Sequence, residues 1–169
     1  MSCKHKFFGH PFHLEGISGL IPNWKVRTLI VGTFNPEPAW HPANAANYYY
    51  GRATNYFWEV LPRFAGISSV SRQDLVAQLN FLKINEIGVT DLLISIDDAD
   101  LSNMDHVERI RTVLDSEIEL FNQFTWNTEP IVEFILKNNI EAVYFTKWEI
   151  LQKRRRNPIH LKNRCELSS

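Results

Sequence analysis

Arg27-Thr28-Leu29-Ile30-Val31-Gly32, followed at once by Thr33-Phe34-Asn35-Pro36, decides how this chain folds. The run is apolar without alternation, rich in β-branched residues, and ends at Gly and Pro. Those properties fit a strand buried on both faces, as in a parallel sheet flanked by helices. Working outward, Phe57, Trp58, Leu61 and Phe64 predict a helix over 55–64, with Pro62 near its end or kinking it. Leu75, Val76, Leu79 and Leu82 predict a helix over 71–82, with Ser71 as N-cap and Asp74 three residues later. A second strand is expected over 87–93 and a helix over 103–114. Thr128 is expected to cap a helix with Pro130 in its first turn, an apolar face of Ile131, Phe134 and Ile135, and a stop at Asn138-Asn139. A third strand is expected over 141–146. Strands separated by helices imply an α/β fold, a doubly wound α/β/α sandwich, in which ligands bind beyond the carboxyl ends of the strands.

A chain of 169 residues is one domain that can bury a core without disulfides or metal. Its 44% hydrophobic and 22% charged residues are ordinary for a globular protein. No apolar run reaches the ~18–20 residues of a membrane helix, and the start of the chain lacks a signal-peptide pattern, so the expected compartment is the cytoplasm. Cys3 and Cys165 belong to no C-x-x-C pair and read as free thiols. His5, His10, His13 and His41 match no metal-ligand spacing, and Asp97, Asp98 and Asp100 lack the Gly and closing Glu of a calcium loop. No metal and no cofactor is therefore expected. The net charge of −1 excludes a globally basic nucleic-acid binder, but seven Lys/Arg fall within 147–164, including Arg154, Arg155 and Arg156. That cluster reads either as a solvated tail or as a contact to the DNA backbone.

Gly32-Thr-Phe-Asn-Pro36 is followed by Tyr48-Tyr-Tyr-Gly-Arg-Ala-Thr-Asn-Tyr-Phe-Trp58 and later by Ile87-Gly-Val-Thr-Asp91. Together these segments resemble the first motif and following strand of the uracil-DNA glycosylase superfamily, most closely its mismatch-specific and hypoxanthine-directed branches. The resemblance covers roughly 27–66 and 87–93, and more weakly 141–146. It implies a central, mostly parallel four-stranded sheet, a DNA partner carrying a damaged or deaminated base, and excision of uracil or hypoxanthine by base flipping. On this likeness Asn35 takes the catalytic place. Gly32, Thr33, Phe34 and Pro36 form the base-binding turn, Tyr50 is the stacking platform with Tyr49 as its neighbour, and Asn55 is base-binding as well.

The residue types suit that chemistry. Flipping a base out of the stack costs a few kcal/mol, and stacking it on an aromatic ring recovers roughly 1–3 kcal/mol. An Asn side chain is not a strong base, but its amide oxygen can hold a water toward the sugar C1′. Each residue has a plainer role as well: Asn35-Pro36 as a turn, Asn55 as a helix cap, Phe57 and Trp58 as core. Asp91 ends its strand on the ligand side, where it could bond only to a neighbouring loop. The superfamily's second motif, a Pro-Ser-type loop after the last strand, has no counterpart. Residues after Thr146 run Lys-Trp-Glu-Ile-Leu-Gln-Lys-Arg-Arg-Arg, then Asn157-Pro-Ile-His160. The chain therefore divides into a glycosylase-like domain, 1–146, and a basic segment, 147–169, that is either truncated or divergent. Two further functions stay open: a non-catalytic module that binds bases or nucleic acid, and an enzyme acting on a small nucleotide or nucleoside. The oligomeric state is not legible.

Overall fold

The computed structural model describes residues 2–9, 20–36, 48–52, 55–112 and 114–146. The central strand is β2, Thr28–Gly32, buried from Leu29 onward. It pairs in parallel with β3, Ile87–Asp91, on one side and with β6, Ala142–Phe145, on the other. Its side chains alternate between faces, as a strand requires. Ile30 packs with Val89 against Phe81 and Leu82 of helix α2, Leu75–Ile84. Leu29 and Val31 pack against Ile131 and Phe134 of helix α5, Thr128–Lys137. The uninterrupted apolar run is thus explained by helices on both faces of the sheet.

The expected four-stranded sheet requires correction. The described residues form a three-stranded parallel sheet, in the order β3-β2-β6, and a separate three-stranded antiparallel sheet. The second sheet comprises β1 (Cys3–Lys4), β4 (Leu93–Ile96) and β5 (Phe124–Trp126), in the order β1-β4-β5. The stretch over 87–93 was expected to be one strand, but the chain leaves β2 at Leu92 and changes sheets. The Leu92 and Leu93 amides still donate to the Gly32 and Thr33 carbonyls, each at 3.0 Å. Beyond that point Ser95 and Ile96 pair with β1 and β5 instead. Periodicity could not show this, because Leu92-Leu93-Ile94 is equally apolar on both sides of the switch. Helices α3, Met104–Thr112, and α4, Asp115–Ile118, cover the antiparallel sheet through Ile110 and Ile118.

Local chemistry moved several boundaries. The helix expected over 55–64 is one α turn, α1 (Phe57–Val60), continued as a 3-10 turn over Leu61–Ala65. Pro62 lacks the N–H an α-helix needs there. Helix α2 is capped by Asp74, whose carboxylate accepts from the Ala77 amide at 2.9 Å, whereas Ser71 accepts from Gln73 in the preceding turn. Helix α5 begins after Asn127, not with Thr128 as cap. The fully buried Asn127 side chain turns away from the helix and donates to Thr90 Oγ1 at 3.0 Å and to the Asp91 carbonyl at 2.9 Å. Asn127 thereby fixes the end of β3, and Asn127→Ala strands those buried acceptors. A loss of about 1–3 kcal/mol is expected, read as a lower midpoint in urea at unchanged slope. No helix among the described residues is long and apolar enough to cross a membrane.

Candidate functional site

Because β2, β3 and β6 run parallel, their carboxyl ends meet at one edge of the sheet, where ligands collect in such folds. Strand β2 delivers Gly32 and the turn Thr33-Phe34-Asn35, β3 delivers Asp91, and β6 delivers Thr146. These residues line a cavity of about 380 Å³, together with Tyr50, Arg52, Asn55 and Asp115. That volume lies within the range of small-molecule sites, ~300–1,000 Å³. Six residues expected from sequence therefore converge: Gly32, Thr33, Phe34, Asn35, Tyr50 and Asn55. The Phe34 residue is itself only 5% exposed and packs in the core with Cys3, Leu93 and Ile96.

Asn35 is held rather than loose. Its Nδ2 donates to Asp91 Oδ2 at 2.6 Å, and the same oxygen receives the His5 imidazole through Nε2 at 2.8 Å. A carboxylate only accepts, so Asn35 must turn its amino group toward Asp91 and its carbonyl oxygen away. Asp91 and His5 are each 1% exposed, and a buried carboxylate needs such partners. The other carboxylate oxygen, Oδ1, lies over Gly32: a Cβ there would sit 2.2 Å from Oδ1 and 2.7 Å from the Tyr50 hydroxyl. The three groups approach this closely only because residue 32 has no side chain.

Tyr50 adopts φ 57°, a left-handed conformation unusual for a bulky residue. Its ring stacks on Phe57, with centroids 4.2 Å apart and planes at 25°. Its hydroxyl donates to Thr146 Oγ1 at 3.3 Å. Burial and the Asp91 charge raise the Tyr50 hydroxyl well above its ordinary value, so it stays protonated. Asn55 Oδ1 accepts from the Phe57 amide at 2.9 Å, which anchors the start of α1. Arg52 brings positive charge to the cavity; burial lowers its guanidinium to about 10, still a cation at neutral pH.

Two expected site residues do not line this cavity. Tyr49 is fully buried, its ring 4.8 Å from Phe7 and 5.7 Å from His5, so it packs beneath the site as core. Pro36 forms an antiparallel bridge with His5 and secures the turn from behind. Arg154, Arg155 and Arg156 lie outside the described residues, as do His10, His13, His41 and Cys165. Residues that sequence reasoning did not assign to the site are His5, Arg52, Asp115 and Thr146. Asp91 had a signal in its place at a strand's carboxyl end.

A larger cavity of about 710 Å³ adjoins the first and shares Thr33 and Asp115 with it. Its walls include Phe121, Phe124 and Trp126, with acidic Asp97, Asp115 and Glu119. Asp97 is already engaged by Ser95 and Thr125 at 2.5 and 2.8 Å. Among the described residues, no group of three or more His, Cys, Asp or Glu side chains is placed to hold a metal ion. Comparison with family models, curated proteins and solved structures yields no match to this chain.

Proposed function

We propose that the chain is a uracil-DNA-glycosylase-like hydrolase of the cytoplasm that removes deaminated bases, uracil or hypoxanthine, from DNA. The observation that carries this reading is the Asn35 amide, tied through Nδ2 to Asp91 in a cavity that Tyr50 also lines. The Asn35 side-chain oxygen, Oδ1, holds an attacking water, and the face of Tyr50 opposite Phe57 stacks the flipped base. Water adds to the sugar C1′ as the C1′–N bond breaks, the electron pair leaves with the base, and the proton that the water sheds ends on the released base. Asn35 orients that water without strongly activating it, which suits a good leaving group and a dissociative, oxocarbenium-like transition state. Positive Arg52 offers favourable electrostatics to the departing base or a neighbouring phosphate. The basic segment 147–164 supplies contacts to the DNA backbone.

The acidic residues beside the site, Asp115 at the cavity and Glu119 next to it, favour a second reading. They oppose a closely applied polyanion, so the substrate could be a free nucleoside rather than a strand. One experiment separates the two. Oligonucleotides with a single uracil or hypoxanthine are incubated with the protein and treated with alkali, while free deoxyuridine and deoxyinosine are followed by chromatography. Base release from oligonucleotides that falls about 100-fold in Asn35→Ala supports excision from DNA. Release from the nucleosides alone supports the second reading. Binding without release, lost in Tyr50→Ala, identifies a base-binding module.

A further inference from the structure

The N-terminal segment reaches into the site from far away in sequence. Strand β1 pairs with β4, Cys3 opposite Ile96 and Lys4 opposite Ser95. Just beyond it the His5 amide donates to the Ile94 carbonyl at 2.8 Å, and the Lys6 amide donates to the Asn35 carbonyl at 2.7 Å. His5 is thus fastened on one side to the antiparallel sheet and on the other to the turn that carries Asn35.

Its imidazole is surrounded by rings, with Phe7, Phe34 and Tyr49 centroids at 5.7, 5.6 and 5.7 Å. The Phe7 amide donates to Nδ1 at 3.1 Å, so the ring proton resides on Nε2 and points at Asp91 Oδ2. A continuous chain results: Phe7 N–H to His5, His5 Nε2–H to Asp91, and Asn35 Nδ2–H to the same oxygen. A side-chain amide has two faces of opposite hydrogen-bonding character. Rotated by 180°, Asn35 would offer the cavity a donor and could not accept from a water in the same manner.

We infer that His5 and Asp91 are positioning residues that set which face of the Asn35 amide the cavity receives. The inference rests on the base-excision reading for its consequence in catalysis, but not for the orientation itself. A cluster that merely pinned the N-terminal strand would alter stability in its variants and leave turnover by the folded fraction unchanged. A positioning pair lowers kcat with little change in KM, because it acts on the water rather than on the bound base.

Two readouts test this. In protein labelled with ¹⁵N, the imidazole should show the Nε2–H tautomer. One Asn35 side-chain amide proton should be displaced by its bond to the carboxylate, and that displacement should vanish in Asp91→Ala, which leaves no acceptor there. With a single-stranded oligonucleotide carrying one uracil or one hypoxanthine, His5→Phe should lower kcat about 10- to 100-fold at near-constant KM. His5→Gln, which retains an N–H donor, should recover most of the loss, and His5→Leu, which also lacks a donor, stands in should His5→Phe not fold. The inference is overturned if Asp91→Ala leaves the Asn35 amide signals unmoved, or if the kcat of an active wild-type protein is kept in folded His5→Phe, or in folded His5→Leu should only that variant fold. If the wild-type protein releases no base from either oligonucleotide, the excision reading fails and the amide spectra alone decide the orientation.

Discussion

Gly32→Ala should unfold the site and much of the protein's stability margin in one step. The added methyl would fall 2.2 Å from Asp91 Oδ1 and 2.7 Å from the Tyr50 hydroxyl. Neither neighbour can retreat cheaply. Asp91 is locked by His5 and Asn35, and Gly32 is itself in register opposite Asp91 within the parallel ladder. Overpacking in a rigid interior costs roughly 1–3 kcal/mol and occasionally more, and two simultaneous overlaps place this change at about 3 kcal/mol or above. For a chain of this size that corresponds to a fall in Tm of roughly 6–12 °C. On the proposed base-excision reading, base release should drop in parallel, since relief of the overlap requires Asp91 or Tyr50 to move. Calorimetry on the purified variant checks the first part; a Tm within 2 °C or so of the parent would contradict it.

Trp58→Ala should be as damaging, through the core. Trp58 is fully buried among Leu20, Ile30, Tyr48 and Leu82, and its indole N–H donates to the Tyr49 carbonyl at 2.8 Å. Truncating a buried Trp costs about 3–5 kcal/mol. The same bond also fixes the turn that holds Tyr50 at φ 57°, a conformation that persists only when its surroundings enforce it. Trp58→Phe fills most of the space but removes the donor. It should therefore cost less stability, while the Tyr49 carbonyl loses its partner and the Tyr50 ring loses its fixed position. Denaturant melts of both variants, compared with base-analogue binding, distinguish lost volume from lost turn geometry.

The central strand, the Asn35 turn and Tyr50 were legible because their signals are local: an apolar run, a break at Gly-x-x-Asn-Pro, and aromatic residues before an Asn-x-Phe-Trp start. The boundary between Tyr49 and Tyr50 was harder. Three consecutive tyrosines share composition, and only the positive φ at Tyr50 sends one ring to the cavity while Tyr49 stays in the core. His5 left no local trace. Its partner lies 86 residues away, and a histidine in a polar N-terminal stretch resembles any solvated one until β1 pairs with β4. Thr146 joins Tyr50 across 96 residues for the same reason. Spacing reveals what one element does along its own length, whereas this site is closed by segments that meet only in three dimensions.

The order β3-β2-β6 has a consequence for how the chain is made. The middle strand is synthesised first, and both of its neighbours, as well as the helix α5 that covers Leu29 and Val31, emerge later. At 5–20 residues per second, roughly 5–20 s pass between the appearance of Gly32 and that of Phe145. During that interval on the ribosome, an apolar strand waits with an unpaired edge, the form of surface most prone to stick to other nascent chains or to recruit a chaperone. The oldest strand of the sheet is the last to be fully enclosed.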